Sequence, residues 1–420
     1  MKLLVVGSGG REHAVIRKLK ENKEIEKIYC APGNGGISAD AECVDIKATD
    51  KESMVKFAKE NAIDFCVVTP DDPLALGMVD DMEEAGIPCF GPKANAAIIE
   101  ASKAFSKDLM KKYGIPTADY ETFDNEKEAL HYIEEKNTFP IVIKADGLAL
   151  GKGVLICETL DDAKTALREM MVEHVFGLSG NKVVVEEFMT GKEVSVLAFT
   201  DGNVVKPMIS SMDHKRAYDN DEGLNTGGMG TIAPSPYYTK EIAETCMETI
   251  FLPTVKAMNA EGRTFKGCLY FGLMLTPKGP RVVEYNCRFG DPETQVVLPL
   301  LNSDLLTIMK ACHDGTLKDV DVVWSEEACA CVVEASGGYP VKYEKGFEIH
   351  GLDENGQHDG VIVYHAGTKK ENGKFYTNGG RVLGITAKGA TLQDALDKAY
   401  EAVKEIGFDK MHYRTDIGKK

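Results

Sequence analysis

The chain has 420 residues, which at roughly 150 residues per domain predicts two to four domains. Lys plus Arg number 49 against 66 Asp plus Glu, a formal charge of −17. Charge of that sign repels phosphate backbones and anionic lipid, arguing against general nucleic-acid or membrane-surface binding, while a pocket's local field can still favour an anionic small molecule. The 43% apolar and 27% charged composition is globular and excludes disorder, collagen and coiled coil. The first apolar run, Leu3 to Val6, stops at Gly7, too short for a signal-peptide core or a membrane span. Eleven cysteines are irregularly spaced, and the closest pair, Cys329 and Cys331, is not a C-x-x-C. Zinc frameworks and dithiol redox sites thus lack support, and the odd count reads as reduced, mostly buried thiols in a cytoplasmic protein.

Strands at Lys2–Val6, Lys27–Cys30, Asp64–Thr69 and Pro88–Phe90 alternate with helical spacing at Glu12–Lys20 and Lys51–Asn61. That alternation predicts a parallel sheet covered on both faces, with ligands beyond the carboxyl ends of its strands. Those ends carry Gly7–Glu12, Ala31–Gly36 and Pro70–Pro73. Gly7-Ser8-Gly9-Gly10-Arg11-Glu12 offers backbone N–H groups and a helix dipole to an anion, for roughly 0.3–1 kcal/mol. It is not a dinucleotide fingerprint. Glu12 stands where the third glycine is required, and Ala31–Asn34 stands where the ribose-binding acid belongs. A phosphate-and-sugar pocket remains open, beside the plainer reading of a turn that needs small residues.

From about Pro140 hairpins take over. Ile141–Ala145 and Val154–Cys157 flank a glycine-rich loop, Lys182–Phe188 and Glu193–Thr200 flank Met189–Lys192, and Cys268–Thr276 and Arg281–Asn286 flank Pro277–Gly279. The last ninety residues add strands and a helix at Thr391–Ile406, with a capping box of Thr391 and Asp394. The loop from Lys144 to Val154 is not a Walker A loop. Gly147 to Gly151 is one residue short, Gly153 replaces the metal-binding hydroxyl, and the loop feeds a strand. A glycine-rich hairpin closing over a nucleotide, with Lys144 and Lys152 supplying charge, serves the same end. Glu284 and Asn286, two apart on a strand, share a face and suit a hard divalent cation. Arg288 to Glu293 follow directly. The loops Asp213–Arg216 and Asn225–Gly230, charged and then glycine-rich, read as ligand-facing. His13 reads as packing rather than as a base; His214 is open between proton transfer and neutral hydrogen bonding.

The runs G-S-G-G-R-E-H-A, A-P-G-N-G-G, S-K-A-F-S-K, V-I-K-A-D-G-L-A-L-G-K-G-V, D-H-K-R, N-T-G-G-M-G and E-Y-N-C-R-F-G-D-P-E-T-Q together resemble the phosphoribosylamine–glycine ligase family of the ATP-grasp superfamily, in order and over essentially the whole chain. The resemblance implies a multidomain α/β and α+β fold: a Rossmann-like N-terminal domain (1–101), a central body (102–120 and 194–325), a lid (121–193) and a small α+β C-terminal domain (326–420). It implies ATP between lid and body, with Lys103, Lys144 and Lys152 on the phosphates, Glu186, Glu187, Phe188 and Met189 at the adenine hinge, and Glu193 on the ribose. Glu284 and Asn286 match the ligands of Mg²⁺ or Mn²⁺. Gly9, Gly10, Arg11, Glu12, Asp71, Asp213, Lys215 and Arg288 match the substrate side, and Lys144, Arg288 and Asp291 the catalytic set. The implied substrates are glycine, 5-phosphoribosylamine and ATP, on a monomer or weak homodimer, with another ATP-grasp carboxylate–amine ligase as the alternative.

Overall fold

The computed structural model describes residues 1–149 and 153–419. Lys152, expected on the phosphates, lies outside the described residues. Near the N-terminus, five parallel strands run in the spatial order Glu42–Cys43, Lys27–Pro32, Lys2–Gly7, Phe65–Val68 and Cys89–Phe90. The strands Lys2–Gly7 and Phe65–Val68 are almost wholly buried, as expected of strands covered on both faces. Helix Gly10–Leu19 starts at the carboxyl end of the first strand, and helix Asp71–Ala75 just beyond Phe65–Val68. Both therefore open on the edge where ligands are expected.

A second sheet is antiparallel, in the order Tyr120–Phe123, Val183–Glu187, Ile141–Ala145, Val154–Cys157. Its core is its own: Ile143 and Val183 of the sheet are fully buried against Ile133, Ala163 and Leu167 of helices Glu126–Lys136 and Leu160–Leu167. A third sheet, Val205–Pro207, Lys192–Thr200, Gly267–Thr276 and Gly279–Asn286, faces it as the body. The hairpin expected across Met189–Lys192 does not form. Val183–Glu187 stays in the second sheet, and Lys192–Thr200 pairs instead with Gly267–Thr276. Gly191 makes the crossing: its φ is +156°, and a Cβ there would lie 2.2 Å from the Leu275 carbonyl oxygen. The segment is a hinge between sheets. The hairpin expected at Pro277–Gly279 is present, with a register shift beside Gly272.

The last sheet orders Met212–Asp213, Gly230–Ala233, Ala328–Ser336, Arg381–Gly389 and Ile362–His365, with Met411–His412 also pairing Ala328–Ser336. Helix Leu392–Glu405 covers one face, and its capping box of Thr391 and Asp394 is formed as expected. Sequence-distant segments thus meet in one sheet. The N-terminal domain is sewn to it through His13: Nε2 lies 2.8 Å from Asp40 Oδ2, and Nδ1 accepts from the His365 N–H at 2.8 Å. His13 is fully buried, and burial lowers its pKa against the opposing pull of Asp40. It is a structural tie. No helix among the described residues is long and apolar enough to cross a membrane.

Candidate active site

Four segments deliver charge to the cleft between the second and third sheets. Lys144, near the end of Ile141–Ala145, donates to the Val283 carbonyl (3.2 Å) and lies 3.0 Å from Glu186 Oε2. Lys107, on helix Lys103–Tyr113, lies 3.2 Å from the other Glu186 oxygen and donates to Thr117. The Glu186 carboxylate is therefore buried between two ammonium groups. Burial pulls the Lys107 pKa down to about 8, with Glu186 opposing. Glu187 accepts from Arg281 at 2.6 Å on the rim; Phe188 is half-exposed and Met189 buried.

Lys103 donates to the Gly147 carbonyl at 3.0 Å. Its helix is capped twice: Ser102 Oγ accepts from the Phe105 N–H (3.1 Å), and Asp146 Oδ1 accepts from the Ala104 N–H (2.7 Å) and from Ser102 Oγ (3.0 Å). The loop after Ile141–Ala145 is in this way pinned to the helix N-terminus, where a carboxylate is favoured by the dipole. Burial lowers the Lys103 pKa, with Glu284 opposing.

On the body, Lys215 Nζ lies 3.4 Å from Glu193 Oε2 and 3.9 Å from Glu284 Oε1. Glu193, with Glu284 next, raises the Lys215 pKa well above its usual value. The small cleft here is lined by Glu193, Ser195, Asp213, Lys215, Tyr270 and Glu284. Burial opposes ionisation of Glu284, but Lys215, Lys144, Lys103 and Arg288 outweigh it and hold its carboxyl below the ordinary range. Asn286 commits its Nδ2 to Glu100 (3.0 Å) and to the Tyr285 carbonyl (2.9 Å), leaving Oδ1 as an acceptor. An ionised carboxylate and an amide oxygen on one strand face fit a hard divalent cation. Among the described residues no group of three or more His, Cys, Asp or Glu is placed to hold a metal.

The third edge lies between the first domain and the last sheet. Arg11 N–H donates to Asp291 Oδ2 (3.3 Å), Gln295 donates to Asp291 Oδ1 (2.8 Å), and Arg381 lies 3.4 Å from that same oxygen. Burial opposes ionisation of Asp291, but Arg381 and Arg11 hold it ionised and its pKa low. At Gly10 a Cβ would fall 2.5 Å from Gln295 Nε2, so a larger residue there would push Gln295 off Asp291. Glu12 is buried and turned into its own loop, accepting from the Gly9 N–H (2.6 Å) and Arg11 Nε (2.8 Å). It satisfies the N-cap N–H of its own helix from the position where a dinucleotide site has glycine. Asp71 opens helix Asp71–Ala75 and acts electrostatically on Arg288 and Glu100. Asp213, pushed well up by burial and by Glu293, accepts from the His214 N–H at 2.7 Å. His214 itself lies 3.1 Å from the Gly230 carbonyl through Nδ1, and its Nε2 accepts from Gly418 N–H at 3.1 Å, the bonding of a neutral ring that ties down the C-terminal tail. Cys30 and Cys287 are buried, and burial pushes both thiols well up, so neither is a reactive thiolate.

Of the expected residues, Lys103, Lys144, Glu186, Glu193, Lys215, Glu284, Asn286 and Arg288 lie in one charged network, while Gly9, Gly10, Arg11 and Asp291 form the adjoining edge. Glu100, Lys107, Asp146 and Arg381 escaped the sequence reading. Lys107 and Asp146 sit inside quoted runs, S-K-A-F-S-K and K-A-D-G; Glu100 and Arg381 had no local signal.

Two antiparallel sheets joined by a single crossing, with cations on both and an acid–amide pair between them, define an ATP-grasp enzyme. The chain matches family models described as the phosphoribosylglycinamide synthetase N domain at residues 1–100, ATP-grasp (A) domain at 101–294 and C domain at 329–420, and it belongs to the phosphoribosylglycinamide synthetase family. It is 50% identical over 417 residues, 99% of each chain, to the phosphoribosylamine–glycine ligase of Caldanaerobacter subterraneus subsp. tengcongensis. The crystal structure of phosphoribosylamine–glycine ligase from Thermotoga maritima superposes with a TM-score of 0.88 at 33% identity, covering all of both chains. The biotin carboxylase domain of Hydrogenobacter thermophilus 2-oxoglutarate carboxylase, solved with magnesium ADP and bicarbonate, shares the fold at a TM-score of 0.74 and 18% identity, covering 98% of this chain and 91% of that one.

Proposed function

We propose that this enzyme joins glycine to 5-phosphoribosylamine, converting ATP to ADP and phosphate and forming glycinamide ribonucleotide for purine biosynthesis. The observation that carries the reading is the convergence of Lys103, Lys144, Lys215 and Arg288 around Glu284 and Asn286, between a hinged lid and its body. In an acidic chain, cations paired with carboxylates yet gathered on one cleft form a local field that suits a polyanionic ligand. Lys103 and Lys144, with Lys152 in the glycine-rich loop, hold the phosphates; the hinge from Glu186 to Met189 receives the adenine, and Glu193 the ribose. Because the Glu186 carboxylate is spent on Lys107 and Lys144, adenine recognition there falls to the backbone and to Met189 and Phe188. Glu284 and Asn286 would hold Mg²⁺, or equally Mn²⁺, which supplies charge neutralisation at the phosphates.

A glycine carboxylate oxygen attacks the γ-phosphorus and ADP leaves, giving glycyl phosphate. The amine of phosphoribosylamine then attacks the carbonyl carbon, phosphate leaves, and the new amide nitrogen loses a proton. No enzyme nucleophile is required. The work is positioning and charge stabilisation by Lys144 and Arg288, while lid closure keeps water from the acyl phosphate. Gly9, Gly10, Arg11, Asp71, Asp213, Lys215 and Asp291 form the amine and glycine side, with Glu12 shaping its loop. We divide the chain into a Rossmann-like domain at 1–101, a body at 102–120 with 194–325, a lid at 121–193 and a C-terminal domain at 326–420. Eleven unpaired cysteines, ten of them buried, support a cytoplasmic enzyme, acting as a monomer or weak homodimer.

The test is ADP release with Mg-ATP and glycine, with phosphoribosylamine generated in situ from ribose 5-phosphate and ammonia. ADP formed only when both glycine and the amine are present is the expected result. ADP release indifferent to glycine would return the chain to another ATP-grasp carboxylate–amine ligase.

A further inference from the structure

Helix Ala94–Ala101 belongs to the N-terminal side of the molecule, yet its penultimate residue reaches the body. Glu100 is buried, and its two oxygens accept three hydrogen bonds from three consecutive residues: Asn286 Nδ2 (3.0 Å) and Arg288 Nη2 (2.9 Å) on Oε1, and the Cys287 N–H (2.7 Å) on Oε2. An amide has two faces, and its orientation is set by whichever partner claims one of them. With Nδ2 held by Glu100 and the Tyr285 carbonyl, Oδ1 is left as the acceptor on the strand face it shares with Glu284. The same carboxylate holds one edge of the Arg288 guanidinium, whose Nε is buried without a partner. We infer that Glu100 is a positioning residue. It fixes the Asn286 amide as an oxygen donor to the divalent cation and aligns Arg288, without touching either the cation or the substrates.

The placement has a further consequence. Two residues beyond Glu100, Ser102 caps the next helix and bonds Asp146 of the lid loop, and Lys103 bonds Gly147. The stretch 100–103 therefore ties the metal strand to the lid loop through a single short piece of backbone. Neighbours that orient ligands typically cost 10- to 100-fold in metal affinity or activity when removed.

The inference rests on Glu284 and Asn286 being the cation ligands, so the test separates the two claims. Mn²⁺ is titrated by electron paramagnetic resonance into the full-length enzyme saturated with a non-hydrolysable ATP analogue, for the wild type, Glu100→Gln, Asn286→Ala and the double variant. Glu100→Gln is expected to weaken Mn²⁺ about 10-fold, and the double variant to be no weaker than Asn286→Ala alone, because both changes remove the same donor. Glycine KM stays within about twofold while kcat falls, and Glu100→Asp recovers part of the Mn²⁺ affinity by restoring the charge. Additive losses in the double variant, or unchanged Mn²⁺ affinity in Glu100→Gln, would overturn the positioning role alone. Unchanged Mn²⁺ affinity in Asn286→Ala would overturn the metal assignment, and this inference with it. Should Glu100→Gln not fold, the Glu100→Asp titration decides, with unaltered Mn²⁺ affinity counting against.

Discussion

Replacing Glu186 by Gln removes one negative charge from between two buried ammonium groups, at 3.2 Å from Lys107 and 3.0 Å from Lys144. All three side chains are at most 6% exposed, so solvent does little to screen what remains. Breaking a buried ion pair from one side costs roughly 3–5 kcal/mol. An upper limit follows from proton chemistry. The variant can always shed a proton from one lysine, and with an ordinary lysine pKa near 10.4 that costs about 4.6 kcal/mol at pH 7 and about 1.9 kcal/mol at pH 9. The sign is fixed by linkage: the unfolded lysine keeps its proton while the folded variant's does not, so the variant regains stability as pH rises. Because the wild-type Lys107 pKa is itself about 8, the gap between the two closes mainly below pH 8, by roughly 1.4 kcal/mol from pH 7. The assay is amide hydrogen exchange of Ile141–Ala145 and Val183–Glu187, read as the ratio of variant to wild-type protection at each pH. A loss of roughly 10²- to 10³-fold is expected at pH 7, since each 1.36 kcal/mol is tenfold, shrinking about tenfold by pH 9. Saturating Mg-ATP, whose phosphates replace the missing anion, is expected to restore most of the protection. Equal losses at pH 7 and pH 9 would refute the charge argument, and no loss at either would show that Glu186 does not balance the two lysines.

Arg288→Ala is expected to lower kcat at least 100-fold with ATP affinity within a fewfold of wild type, as single-turnover kinetics and nucleotide titration will show; unaltered turnover removes Arg288 from the mechanism. Asp146→Ala deletes two hydrogen bonds to a charged acceptor at the Lys103 helix, worth roughly 1.5–3 kcal/mol each, and should raise ATP KM tenfold or more while glycine KM holds. With its pKa near 8, Lys107 loses its charge as pH passes from 7 to 9; ATP KM should rise over that range, and Lys107→Arg should flatten the profile. His365 is fully buried with its pKa pulled down to about 3 by burial, so below about pH 6.5 the unfolded chain binds a proton the folded one refuses. Stability should therefore fall by up to about 1.4 kcal/mol per pH unit from 6.5 toward 3, a slope that urea titrations of His365→Asn should lack.

Much of this was legible before any coordinates. Apolar runs punctuated by glycine marked the parallel strands, because a strand covered on both faces cannot alternate. The two-residue spacing of Glu284 and Asn286 gave their common face, since side-chain period in a strand is fixed. The hinge at Met189–Lys192 was misread as a hairpin because a turn and a crossing share the same short, glycine-bearing signature; only the partner strand tells them apart. Glu100 was invisible for a different reason. It lies on a short helix of mostly small and apolar residues, and its meaning comes wholly from residues 186 to 188 positions away.

A common economy runs through the cations of the cleft. Lys144 is held by Glu186, Lys215 by Glu193, and Arg288 by Glu100. An unpaired ammonium in such a site would be costly to desolvate and free to wander, whereas each of these is neutralised locally and fixed in direction. The polyphosphate then meets donors that need no reorganisation, which is where electrostatic catalysis gains most. The same pairing tempers affinity, because each phosphate oxygen must share its cation with a resident carboxylate, and binding energy is left for the closed, reacting state. Removing any one carboxylate therefore has two opposed effects, a freer cation for ATP and a looser one for the transition state. Glu193→Gln tests both roles of one carboxylate, since Glu193 is half-exposed and its loss costs little stability: losing the ribose acceptor should weaken ATP, and loosening Lys215 should lower kcat. A variant that binds ATP more weakly and keeps its kcat would place Glu193 on the nucleotide alone, with no part in aiming Lys215.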